Sequence, residues 1–155
     1  MTERPISAYL GQDKGRWAPK DWSAVVEAAA GGLLDESHRL ELKRELPSAN
    51  RASNTELAKD LASLAVDGGL LVIGIEDRDS RAGNVCGVLL AGLADRVDQV
   101  ARDKVRPSLV VRSHPIADPD RPNPEWAACL FMYRQALRRR TWWITSTTAE
   151  ATAAR

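Results

Sequence analysis

Cysteine is nearly absent from this chain: Cys86 and Cys129 are the only two in 155 residues. Two thiols exclude a disulfide framework and a multi-cysteine zinc site. Histidine is equally sparse, and His38 and His114 stand apart, which favours surface or structural roles over metal binding. No apolar run approaches the roughly 20 residues that a membrane helix needs. The N-terminus lacks the charged-then-apolar order of a secretory leader. These absences set the expectation of a cytoplasmic protein without a membrane partner. Neither the Walker A pattern nor G-x-G-x-x-G occurs, so the chain carries no independent mark of ATP binding.

An excess of one charge is missing too. The chain has 22 basic and 21 acidic residues and a net charge of +1. What imbalance exists is segregated. Residues 126–155 hold five arginines and one acid, and the remainder carries 17 basic and 20 acidic side chains. Domains built around a phosphate backbone usually show a strong basic excess, so bulk charge does not by itself indicate one.

What is present fits one globular unit of 17.0 kDa. Residues 1–20 contain Pro5, Gly11, Gly15 and Pro19 and read as a flexible lead-in. Asp21 is a natural N-cap for a helix to about Ala30, with Trp22, Val25, Val26 and Ala29 on one face. In residues 39–45 the leucines Leu40 and Leu42 alternate with Glu41, Lys43 and Glu45, as in a half-buried strand. Ser53 and Glu56 have capping-box spacing, and Leu57, Leu61 and Leu64 then mark a helix to about Val66. Leu70–Ile73 is continuously apolar, as expected of a strand covered on both faces. Residues 77–87 read as a polar loop. Leu93, Val97, Val100 and Ala101 outline a third helix that must end near Arg106-Pro107. Residues 109–111 read as a strand and 114–124 as a proline-rich loop. The order predicts an α/β or α+β domain, a mixed sheet with packed helices, over residues 21–115.

From Glu125 onward neither a period of 2 nor one of 3.6 runs cleanly. Three of the five tryptophans and the cluster Arg138-Arg139-Arg140 fall there. Residues 116–155 therefore read as a loop and an atypical tail. Either a disordered C-terminus or a change of reading frame near the codon for Glu125 accounts for the break.

The chemistry-bearing pattern is in two parts: Glu36-x4-Glu41-Leu-Lys43, and Gly68-Gly69-x4-Gly74-Ile-Glu76-Asp77. Glu41 and Lys43 leave the same face of one strand, and Glu76 and Asp77 follow the apolar one. Sheets of this class place ligands at strand ends. Carboxylates converging from two strands can hold Mg²⁺ or Mn²⁺, and such a metal polarises a phosphodiester while Lys43 offsets developing charge. The plain alternative is a solvated ion pair, worth about 0–1 kcal/mol, beside a strand that ends in a turn. Gly68 and Gly69 admit a phosphate near the backbone, and equally a helix stop.

The two-part pattern, with the intervening Leu-Ala-Lys-Asp-Leu-Ala-Ser-Leu helix and a later helix ending in Arg106-Pro107, resembles the Schlafen AlbA-like domain. The likeness covers about residues 20–115. It implies a mixed α/β fold and association with nucleic acid, RNA or DNA. In animal Schlafens the corresponding acids form a metal-dependent RNA nuclease centre, which by position would be Glu36, Glu41 and Asp77, assisted by Lys43. In bacteria the domain is also described as a divergent AAA-type ATP-binding module, which would involve Gly68 and Gly69. The chain departs from the family at Ala65, near where an asparagine usually precedes the double glycine. It also lacks, in its written frame, the family's later tyrosine and Arg-Gly stretch. The resemblance thus leaves four functions open: nucleic-acid binder, metal-dependent nuclease, nucleotide-binding module, or a truncated inactive product. A domain lacking its last strands would expose apolar edges and invite self-association.

Overall fold

The computed structural model describes residues 6–121, 126–133 and 143–144. Its architecture is α+β: a mixed sheet between two layers of helices and ribbon.

The chain opens with a short antiparallel ribbon, β1 (Ala8–Tyr9) and β2 (Arg16–Trp17). Ile6, Ala8, Leu10 and Trp17 are buried, so the segment expected to be a flexible lead-in is part of the core from Ile6 onward. Helix α1 (Trp22–Ala30) starts as expected, with an Asp21 carboxylate oxygen accepting from the Ala24 N–H at 2.9 Å, and stops at Gly31.

Helix α2 spans Arg51–Asp67 and begins earlier than the Ser53–Glu56 spacing suggests. Asn50 is the N-cap. Its carboxamide accepts from the Ser53 N–H at 2.9 Å, and the Ser53 hydroxyl accepts from the Asn50 N–H at 3.1 Å. The reciprocal box is therefore one turn upstream, and Glu56 pairs with Lys59 instead.

Strand β3 (Leu40–Lys43) runs parallel to β4 (Leu70–Ile73), with Leu40 opposite Leu70 and Lys43 opposite Ile73. All four residues of β4 are buried. Next to β4, antiparallel, lies β10 (Trp126–Tyr133), with Cys129 opposite Ile73 and Met132 opposite Leu70. On the other edge of β10 lies β9 (Val111–Ala117), paired from Ala127–Ala117 to Tyr133–Val111. β7 (Val88–Leu89) pairs with the start of β10 and extends the line of β4. Expectation and structure differ most here. Residues 114–117 and 126–133, read as loop and tail, supply an outer and a central strand. Arg138-Arg139-Arg140 lies outside the described residues.

The detour between β4 and β7 is a hairpin, β5 (Ile75–Arg78) and β6 (Arg81–Val85), where the sequence suggested a polar loop. Its two-residue turn places Asp79 and Ser80 at φ 52° and 67°, the backbone of a type I′ connection. Most hairpins of this kind carry glycine at the turn; its absence hid the hairpin from sequence reading. Helix α3 (Leu93–Asp103) follows, then β8 (Val105–Arg106), which pairs with β11 (Trp143–Ile144).

The core has two halves, one on each side of the sheet. Leu57, Leu61 and Leu64 of α2 and Val97 and Val100 of α3 pack on Leu71, Ile73, Cys129 and Phe131. Val25 and Ala28 of α1, with the β1–β2 ribbon, pack on Leu40, Leu42, Leu70, Val72 and Leu130. Burial in the first half pushes the Cys129 thiol up to about 12. Packing is tight at Gly69, between α2 and the residue that precedes β3. A β-carbon there would lie 2.8 Å from Leu64 Cδ2 and 2.9 Å from the Arg39 carbonyl oxygen. Gly69→Ala is therefore expected to destabilise the fold by about 1–3 kcal/mol in urea denaturation, because the Arg39 carbonyl bonds the Leu70 N–H and has little freedom to move.

Candidate functional site

Because Leu40 and Leu42 are buried toward α1, the alternation of β3 turns Glu41 and Lys43 toward α2. There Lys43 Nζ meets Asp60 at 3.0 Å and Glu41 at 3.8 Å. Asp60 was not a sequence candidate. Its only signal was an acid flanking the Leu57–Leu61–Leu64 stripe, on the side of the helix that faces the sheet.

Glu41 is the perturbed group of the site. Its pKa rises from 4.5 to about 7, first through burial, then through the charges of Glu36 and Asp60, with Asp77 adding and Lys43 opposing. Burial alone would lower the Lys43 ammonium, but its bond to Asp60 and the surrounding acids carry it upward overall. Glu36 and Asp77 thus act on Glu41 through their charge, while their oxygens serve local backbone. Glu36 Oε1 accepts from the Leu42 N–H at 3.1 Å, closing the free edge of β3. Asp77 Oδ1 accepts from the Ser80 N–H at 2.8 Å, clamping the hairpin turn. Among the described residues, no group of three His, Cys, Asp or Glu side chains stands close enough to hold a metal ion. The acids surround Glu41 without converging on one point, so as they stand they do not form a site for Mg²⁺ or Mn²⁺.

The glycines are engaged structurally. Gly68 ends α2 with φ 79°, and the space beside Gly69 is filled by Leu64 and Arg39. Arg39 also donates from Nη1 to the Asp67 carbonyl at 2.7 Å, closing the end of the helix. His38 lies exposed in the turn before β3, and His114 pairs with Leu130 inside the sheet.

A second cluster sits at the C-terminal ends of the parallel pair. Gly74, at φ 112°, donates to the Lys43 carbonyl and accepts from the Cys86 and Gly87 N–H groups. A β-carbon there would meet Gly87, Ala127 and Ala128 backbone at 3.2–3.3 Å, so only glycine lets the hairpin leave the sheet at this point. Around this junction Glu76 is held by Arg78 at 3.0 Å and Arg44 at 3.9 Å. The Asn84 N–H, then the Arg78 guanidinium, keep the Glu76 carboxyl below its usual range. Arg44 also borders a cleft of about 300 Å³ whose lining includes Glu45, Val88, Leu89, Arg121 and Trp126. The Arg121 guanidinium lies 4.9 Å from the centre of the Trp126 ring. Sequence reading missed these arginines, since Arg44 and Arg121 are 77 positions apart.

Neither a model of any known protein family nor any curated protein matches the chain. Among the described residues no helix is long and apolar enough to cross a membrane.

The raised pKa of Glu41 has a consequence for stability. Between pH 4.5 and about 7 the folded carboxyl keeps a proton that the unfolded one has lost. Stability contributed by this group is therefore present below pH 4.5, falls as pH rises through about 7, and then levels off. The loss is about 1–2 kcal/mol, reduced from the full linkage value by solvent screening. Glu41→Gln is expected to abolish this component in denaturation curves taken across the range. An unchanged pH profile would show that Glu41 titrates normally.

Proposed function

We propose that this domain binds nucleic acid through the rim at the C-terminal ends of β3 and β4. The observation that carries the reading is the orientation of the ion pairs there. Arg44, Arg78 and Arg121 have side chains 65, 63 and 43% exposed, whereas their partners Glu76 and Asp118 are 22 and 15% exposed. The carboxylates lie inward and hold the guanidiniums by their inner faces. The outer faces remain available for phosphate oxygens, which arginine meets in a bidentate fork. A local field of this kind steers a polyanion even where net charge is small, and the resemblance to the Schlafen AlbA-like domain agrees with it.

The acidic group beside this rim supports a second reading, a nuclease. Glu41, half-buried and poised near neutral pH next to Lys43, is the side chain suited to move a proton. A hard divalent cation, Mg²⁺ or Mn²⁺, would require Glu36 and Asp77 to leave the bonds they now make.

Fluorescence anisotropy with labelled single- and double-stranded RNA and DNA over a salt series tests the first reading. Affinity is expected to fall steeply with salt, and Arg44→Ala combined with Arg121→Ala to reduce the slope of log K against log salt by about 1–2. No binding at low salt, or an unaltered slope in the double variant, would count against it. Incubating the same RNA with Mn²⁺ tests the second: cleavage that persists undiminished in Glu41→Gln removes Glu41 from any catalytic role.

A further inference from the structure

We infer that the cleft between Arg44 and Arg121 is a base-stacking subsite, and that the nucleic acid it takes is single-stranded. This rests on the reading that the rim binds nucleic acid, and goes on to say which form and how it is held. Three features of the cleft support it.

First, the cleft has an apolar lining in Val88, Leu89 and Trp126. The β7–β10 ladder sets Leu89 opposite Trp126, and Val88 opposite Ala127. Leu89 is 44% exposed, a large apolar side chain left facing solvent beside a half-buried indole. A ring with an apolar neighbour at one level offers a platform to a planar aromatic ligand. Second, two cations border the cleft. Arg121 lies over the indole at 4.9 Å, and Arg44 lines the same space from the end of β3 beside Glu45. The two guanidiniums are the groups there that meet the phosphates flanking a bound base. Third, the cleft holds about 300 Å³, the small end of the range for ligand pockets. That is room for one base with its sugar.

Duplex geometry does not suit such a site. In a helix both faces of each base are covered by stacked neighbours, and an aromatic side chain reaches a base only where the strand is open. Stacking is tolerant of sequence because every base has a π-face, so the subsite selects strandedness more than sequence.

The test uses the full chain and three labelled probes of equal length: a single-stranded uridine oligonucleotide, the same strand with abasic residues, and an RNA duplex. The ordinary strand is expected to bind about tenfold more tightly than the abasic one, and more tightly than the duplex. In Trp126→Leu the ratio of ordinary to abasic affinity should fall toward one, while Trp126→Phe should keep most of it. Arg121→Ala should weaken both strands by removing a phosphate contact, yet raise the ratio of ordinary to abasic affinity, because it uncovers the indole face on which the base stacks. Circular dichroism identifies a Trp126 variant that fails to fold, and Arg121→Ala then decides. Equal, salt-dependent binding of ordinary and abasic strands by the unaltered protein would overturn the stacking subsite and leave nucleic-acid binding standing. No binding of any probe would overturn both.

Discussion

Everything in the domain depends on β4 and β10 lying side by side, each buried on both faces. Leu70–Ile73 and Ala127–Phe131 have almost no contact with solvent, so their backbone groups must satisfy one another through the ladder. Their side chains divide evenly between the two halves of the core. Leu71, Ile73, Cys129 and Phe131 face α2 and α3, and Leu70, Val72, Ala128 and Leu130 face α1. A slip of one residue in that register would exchange the two sets and set large side chains against the wrong helices. With the register held, β3 can add in parallel at one side and β9 in antiparallel at the other.

Charge is arranged around this centre by local need. Among the described residues no charged side chain is fully buried. Glu36 closes an edge strand, Asp77 clamps a turn, and Glu76 gathers two arginines. Glu41 has no such task. It leaves β3 toward α2, shares Lys43 with Asp60, and is raised by burial and by its acidic neighbours. The arginines of the rim are held by carboxylates that lie deeper than they do, so the protein presents guanidinium outward at the strand ends. The sheet thus has an acidic flank under α2 and exposed arginines paired with deeper carboxylates at its C-terminal end, and the consecutive residues Lys43 and Arg44 belong one to each.

Much of the first hundred residues is legible in the chain. Leu40 and Leu42 alternate with Glu41 and Lys43 and therefore form a one-sided strand. Asp21 caps α1, and Leu57, Leu61 and Leu64 bury one stripe of α2. These are local signals, carried by spacing within a turn or a pleat. The misses have local reasons as well. Ser53 has the chemistry of a cap, but Asn50 takes the position because its carboxamide reaches the Ser53 N–H. Asp79 and Ser80 adopt left-handed backbone that glycine normally announces. Trp126–Tyr133 lacks alternation, because a central strand covered on both faces has no polar side to reveal it, and neither a period of 2 nor one of 3.6 runs on through the residues after it.

The sequence by itself determined the α+β class, three helices, the buried strand Leu70–Ile73, and the common face of Glu41 and Lys43. These follow from periodicity and capping, which act over a few residues. Only the tertiary structure decided that Trp126–Tyr133 enters the centre of the sheet. It also decided that Asp60 takes Lys43, and that Arg44, Arg121 and Trp126 border one cleft. Those contacts join residues far apart in the chain, and no spacing encodes them. They exist because closing the sheet brings the end of β3 and the start of β10 to the same rim.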